Sequence, residues 1–263
     1  MERRKFLSDS FLMGAAGGAA AGVAGTVALA PKFLRPRPLP GKLSYAQQGE
    51  DIVLWNILRD MLGIEQPTYL DVGAHQPVLN SNTYFFYERG SRGVLVEPNP
   101  ALHGLLEQVR PRDTLIRAGI GVTAVTEADY YVIYGYQDGQ LQAFSQLNTF
   151  SREQAEALVA RYKGRFRILQ VLKIPLLDIN ELMRKHWNGP PNLLSLDTEG
   201  FDLPILRSLD FKRLRPDVIC AETMELGGRR VLPDILQLLA RNGYEARGGS
   251  FVNTIFVDRR HLA

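Results

Sequence analysis

The sequence predicts an α/β protein built on a doubly wound, mostly parallel sheet with helices on both faces. Three observations carry that prediction. Short apolar runs alternate along the chain with segments of helical spacing. The runs are apolar throughout rather than at every second residue, as strands covered on both faces are. Several of them end in an acid or a glycine, where the chain has to turn into the next helix.

Between Tyr45 and Leu62 the apolar positions Ile52, Leu54, Trp55, Ile57, Leu58, Met61 and Leu62 recur at helical spacing behind Gly49-Glu50-Asp51, which predicts a helix. Thr68 to Val72 and Gly93 to Val96 read as buried strands, with a crossover from Ser81 to Glu88 between them. Ala101 to Val109 is a second crossover helix and Thr114 to Ile120 a third strand. Ala128 to Gly135 alternates as a hairpin or sheet extension does, and Ser151 to Tyr162 is a helix in which Ser151 caps while Gln154 reaches back. Leu176 to Lys185 is helical, Asn192 to Leu196 a strand, Leu203 to Leu209 a helix and Asp217 to Ala221 a strand. A helix from Val231 to Asn242 and closing strands at Tyr244 to Ala246 and Thr254 to Val257 complete the alternation.

The totals narrow the function classes. The chain has 263 residues, which leaves one domain, 44–263, behind a leader and a linker. Hydrophobic residues at 45% and charged residues at 22% match a body that folds in water. The net charge is only +3 and the basic residues are scattered, so nucleic acid is not expected as a partner. Cys220 is the single cysteine, which excludes an intrachain disulfide and a multi-cysteine zinc site. His75, His103, His186 and His261 lack metal-ligand spacing, and no metal is expected.

Residues 1–30 open with Glu2-Arg3-Arg4-Lys5-Phe6-Leu7, continue through a Gly/Ala-rich apolar stretch and close with Ala28-Leu29-Ala30. They resemble a twin-arginine export signal, which implies an exported, periplasmic location. The alternative is an uncleaved anchor that associates with a membrane, or a cytoplasmic protein. The proline-rich stretch 31–43 reads as a linker.

In open α/β sheets ligands sit beyond the carboxyl ends of the strands, so the strand tips are the candidates. Leu70-Asp71-Val72-Gly73-Ala74-His75 offers a tight glycine turn with an acid ahead of it, and Val96-Glu97-Pro98-Asn99 places an acid where nucleoside binders hold ribose hydroxyls. A G-x-G-x-x-G fingerprint is absent, which argues against a pyrophosphate cradle for NAD or FAD. Leu196-Asp197-Thr198-Glu199-Gly200 puts two carboxylates after an apolar strand, and Glu222 brings another to the same rim.

Taken in order, Ser44-Tyr45-Ala46-Gln47-Gln48-Gly49-Glu50-Asp51, Asp71-Val72-Gly73-Ala74-His75, Ser81-Asn82-Thr83-Tyr84-Phe85-Phe86-Tyr87, Arg92-Gly93 with Glu97-Pro98, Leu196-Asp197-Thr198-Glu199-Gly200-Phe201-Asp202, Glu222 and Asn253-Thr254-Ile255-Phe256-Val257 resemble the FkbM-type methyltransferase family. The resemblance runs from about Ser44 to Val257. It implies a class I methyltransferase, Rossmann-like sheet, S-adenosylmethionine as donor, and O-methylation of a hydroxyl on a sugar or secondary metabolite. By position, the turn from Asp71 through Gly73 to Ala74 would hold the methionine part of the cofactor and Glu97 the ribose, with His75 and Asn99 as further cofactor-binding candidates. Pro77 stands where many members have a second glycine, and Arg117-Ala118-Gly119-Ile120-Gly121 replaces a stretch that often includes Asn.

Methyl transfer to a hydroxyl needs alignment and a base. Asp197 is the first candidate for the base and Glu199 the second, with His75 and Glu222 open as further choices. Asp197 and Glu199 are also hard-cation ligands by type, although no third spaced ligand joins them. The expected acceptor is a small molecule or glycan, and the oligomeric state is not set by the sequence. Two rival readings remain: an NAD-linked oxidoreductase, and a non-catalytic exported or membrane-tethered binding protein that keeps the fold.

Overall fold

Each strand of the main sheet sends alternate side chains to opposite faces, and both faces are covered, which is why its strands are apolar throughout. In the computed structural model, which describes residues 43–137, 139–162, 164–224 and 230–262, Leu70, Val72, Val94, Val96, Leu194 and Leu196 bury one face. Tyr69, Leu95, Leu193, Val218 and Cys220 bury the other. The leader expected at 1–30 and the linker up to residue 42 lie outside the described residues.

The chain opens with α1 (Glu50–Trp55), which runs on into a π-helical turn at Asn56–Met61. Then come β1 (Tyr69–Val72), α2 (Tyr84–Glu88), β2 (Gly93–Val96), α3 (Pro100–Val109) and β3 (Thr114–Ile116). The middle holds β4 (Gly119–Gly121), β5 (Glu127–Gln137), β6 (Gln140–Ala143), α4 (Arg152–Arg161) and β7 (Phe166–Asp178). The last part is α5 (Ile179–His186), β8 (Leu193–Leu196), α6 (Asp202–Ser208), β9 (Val218–Glu222), α7 (Pro233–Arg241), β10 (Tyr244–Gly249) and β11 (Asn253–Asp258).

Among the described residues the strands form a seven-stranded sheet in the order β10-β11-β9-β8-β1-β2-β3 and a four-stranded sheet in the order β4-β7-β5-β6. β3, β2, β1, β8 and β9 are parallel neighbours, and β11 runs antiparallel to both β9 and β10. The chain winds outward from β1 through β2 to β3, then returns to lay β8 on the other side of β1. That reversal opens a crevice at the carboxyl ends of β1 and β8. Helices α1, α2 and α3 pack on one face, and α5, α6 and α7 on the other. Among the described residues no helix is long and apolar enough to cross a membrane.

The structure corrects the sequence reading in four places. The strand expected at Thr114 to Ile120 is two strands: Thr114–Ile116 stays in the main sheet, while Gly119–Gly121 pairs with β7. Gly119 lies so close to the insertion that a Cβ there would meet the Phe150 ring at 2.6 Å, so a larger residue would push that ring aside. The helix expected from Leu176 starts only at Ile179, because Asp178 caps it by accepting from the Glu181 amide at 2.9 Å. The strand β7 ahead of it received no assignment from sequence: opposite Val132 and Ile133 it carries an extra residue, Leu169, and this bulge breaks the period of two. At α4, Ser151 does accept from the Gln154 amide at 3.2 Å, but the Gln154 side chain meets Thr149 instead of closing a capping box.

Candidate active site

The crevice at the reversal opens into a cavity of about 490 Å³, within the usual range for small-molecule sites. Asp71, Gly73, Ala74, His75, Glu97, Asp197 and Glu199 all line it. Asn99 does not: its side chain caps α3, accepting from the Ala101 amide at 3.1 Å, so the cofactor contact expected of it is replaced by a helix cap.

The β1 turn is the tightest part of the site. Gly73 has φ +83°, and its amide and that of Ala74 donate to the Val96 carbonyl at 2.9 and 3.2 Å, which binds the turn to the tip of β2. On the other side the Asp197 amide donates to the Val72 carbonyl at 3.1 Å, so three neighbouring tips share one hydrogen-bonded rim. His75, Asn80 and Glu199 are the non-glycine residues with left-handed φ among those described, and all three line the cavity. Strain of that kind costs of order 1 kcal/mol or more and collects where function needs a fixed geometry.

Glu97 holds its side chain still with two backbone donors: the His75 amide reaches Oε2 and the Asn99 amide reaches Oε1, each at 2.8 Å. Burial pushes its carboxyl up to about 7 despite those bonds. Asp71 is fixed from behind, where Thr83 Oγ1 donates to its Oδ2 at 2.6 Å and Arg110 donates to Thr83 Oγ1 at 3.0 Å. Arg110 is itself 1% exposed, paired at 2.7 Å with a buried Asp113 and bonded to the Tyr69 hydroxyl. A buried guanidinium is tolerated only in such a fully bonded setting. Burial still raises the Asp71 carboxyl, with Arg110 and Thr83 opposing it.

The second rim is acidic. Burial, then Asp202 and Asp71, push Asp197 up to about 7. Burial, then Asp197 and Glu222, push Glu199 up to about 9, and burial with Asp197 and Asp202 pushes Glu222 up to about 8. Of this group Asp197 is therefore the one best matched to taking a proton near neutral pH. His75 is bonded through Nε2 to Ser145 Oγ at 2.7 Å, and burial lowers its pKa, so it is neutral and tied to the insertion. Among the described residues no group of three or more His, Cys, Asp or Glu side chains is placed to hold a metal ion.

The wall opposite the β1 turn comes from the insertion between β4 and α5. Tyr130, Asn148 and Phe150 line the cavity from that side, and none of them was singled out from sequence. The alternation Tyr130, Val132, Tyr134 was the available signal, but it marks only a covered strand face and not what the face covers. Asn148 Oδ1 accepts from the Ile133 amide at 2.9 Å, and its buried side chain also bears on the Tyr130 hydroxyl in the cavity wall.

No curated protein matches the chain. Among solved structures it is similar to a TehB-like SAM-dependent methyltransferase from Corynebacterium glutamicum, at 12% identity over 81% of this chain and 88% of that one, with a TM-score of 0.42. It is also similar to an O-methyltransferase from Bacillus cereus in complex with SAH, at 11% identity over 83% and 82% of the two chains and a TM-score of 0.41. A third is precorrin-6y C5,15-methyltransferase from Geobacter metallireducens, at 13% identity over 82% and 91%, with a TM-score of 0.40. Residues 71–246, more than half of the chain and the stretch that carries Asp71, Glu97, Asp197 and Glu199, match the methyltransferase FkbM domain. The sheet is doubly wound and mostly parallel, and the chain belongs to the FkbM-type methyltransferase family.

Proposed function

We propose that the cavity binds S-adenosylmethionine over the tips of β1 and β2, and that the protein methylates a hydroxyl of an acceptor held over β8 and β11. The observation that carries this reading is Glu97: a buried carboxylate at the tip of β2, held by two amides and lining the cavity. Each carboxylate oxygen accepts more than one hydrogen bond, so Glu97 keeps capacity for two ribose hydroxyls after its amides are counted. The Gly73-Ala74 turn, with Asp71 behind it, fits the methionine part, and Asn148 brings an amide to the facing wall.

When bound, the cofactor supplies a methyl group on a sulfonium, open to in-line displacement by an oxygen. The chain's own contribution is alignment, worth about 7–11 kcal/mol when the reacting atoms are well placed, and proton removal. Asp197 accepts the hydroxyl proton, and its elevated pKa makes its carboxylate a stronger base near neutral pH than an ordinary aspartate. Glu199 and Glu222 stay protonated there and do not compete for that proton. The insertion wall, with Phe150 and Tyr130, limits water at the reacting end.

Parallel calorimetric titrations of the full chain with S-adenosylhomocysteine and NAD+ test the reading. Saturable binding of the first alone is expected, and NAD+ binding alone would replace this reading with the oxidoreductase one.

A further inference from the structure

The cavity reaches past the cofactor end to β8 and β11, and its lining changes on the way. Asn253, the first residue of β11, stands opposite Glu222 in the β9–β11 register and lines the cavity at that end. It is 3% exposed, and its Nδ2 donates to Glu50 Oε1 at 3.0 Å. Burial acts to raise the Glu50 carboxyl, but hydrogen bonds from Ser250, Asn253 and the Gln48 amide outweigh it and hold the pKa below its usual value. Glu50 is thus an ionised acceptor, and it fixes which way the Asn253 amide faces. Asn253 Oδ1 is left buried with no partner. A buried acceptor without a donor is costly unless a ligand supplies one.

The lining also carries neutral amides. Gln47, Asn80 and Asn82 bring further amides to the lining, and Asn82 donates to Ser195 Oγ at 3.3 Å. Among the described lining residues none is Lys or Arg, while Asp71, Glu97, Asp197 and Glu199 are acids. A phosphate or carboxylate entering here would lose its water and meet carboxyls rather than a cation.

We propose that Asn253 is an acceptor-recognition residue, and that this end of the cavity takes a hydroxyl-bearing group without negative charge and turns away phosphorylated or carboxylated acceptors. The assignment rests on the cofactor reading above, because the acceptor end is what the cofactor leaves open. Asn253 Oδ1 accepts from an acceptor hydroxyl, Asn82 and Gln47 bind neighbouring polar groups, and the ionised Glu50 behind Asn253, with no cation in the lining, sets the charge selection.

The test uses adenosine analogues of the cofactor in which a nitrogen replaces the sulfonium and bears a propyl arm that is plain or ends in a hydroxyl, an ammonium or a carboxylate. Such arms probe the acceptor end whatever the natural acceptor is. Titrated onto the full chain, the hydroxyl and ammonium arms are expected to bind about tenfold or more tighter than the carboxylate arm. Asn253→Ala is expected to abolish the advantage of the hydroxyl arm over the plain one. A carboxylate arm that binds as tightly as the hydroxyl arm overturns the proposal. Since Asn253→Ala also strips Glu50 of a donor, the ranking of arms on the unaltered chain decides the matter without it. S-adenosylhomocysteine that fails to bind removes the cofactor reading and this one together. If it binds while the arms rank equally, only the acceptor assignment falls.

Discussion

A Cβ placed on Gly73 would lie 1.9 Å from the main-chain oxygen of Asp197. The turn after β1 and the tip of β8 are thus pressed together as closely as two backbones allow, and the candidate base is positioned by the same contact that shapes the candidate cofactor turn.

Gly73→Ala is therefore expected to cost about 3 kcal/mol or more, from the clash and from a φ of +83° that alanine rarely adopts. Urea denaturation of the variant reads the loss directly. Stability within a few tenths of wild type would mean that the β1 and β8 tips are less tightly joined than the geometry shows.

Asp71 depends on Thr83, which stands between it and Arg110. Thr83→Val removes the hydroxyl at nearly constant shape, and about 1–3 kcal/mol of stability is expected to go with it. Cofactor-product affinity falls as well, and Thr83→Ser restores both. Calorimetry on the three proteins checks this, and a valine variant with unchanged S-adenosylhomocysteine affinity would separate Asp71 from binding.

The main sheet could be read from the sequence because its strands are buried on both faces, so runs such as Leu193–Leu196 carry the signal within themselves. The tips Asp71, Gly73, Glu97 and Asp197 were readable for a related reason: a strand end in this fold class is a ligand position before any contact is known. The insertion was not readable. Its long strand β7 is half exposed and bulged at Leu169, and the wall formed by Tyr130, Asn148 and Phe150 depends on where that strand folds back. Arg110 was equally hidden, since an arginine near a helix end reads as surface until Tyr69, Thr83 and Asp113 close around it. Asn99 differs from these tips: a polar residue after a strand end caps the next helix and does not line the cavity.

The acidic rim makes stability depend on pH in an unusual direction. Asp197, Glu97, Glu222 and Glu199 keep their protons in the folded protein up to about 7, 7, 8 and 9, while an unfolded chain releases them near the ordinary carboxylate values. Their contribution is fully present below those ordinary values and is lost as pH rises through the folded ones. Tm is expected to fall by several degrees from about pH 6 to about pH 9, and Glu199→Gln to reduce the fall. A Tm that rises over that interval would contradict the burial of these groups.

Turnover should follow Asp197. The rate is expected to climb with pH through about 7 and level off, and Asp197→Asn to lower kcat by roughly 100-fold or more while S-adenosylhomocysteine affinity changes little. Transfer of a labelled methyl group from S-adenosylmethionine measures it once an acceptor is in hand. An Asp197→Asn variant with a normal pH profile would shift the base to another group.

The central claim is that the cavity at the β1–β8 reversal holds the cofactor with its ribose on Glu97. A crystal structure of the full chain with S-adenosylhomocysteine tests it most directly. The nucleoside is predicted to lie over the tips of β1 and β2 with both ribose hydroxyls on the Glu97 carboxylate. A ligand seated elsewhere, or one whose ribose points away from Glu97, would contradict it.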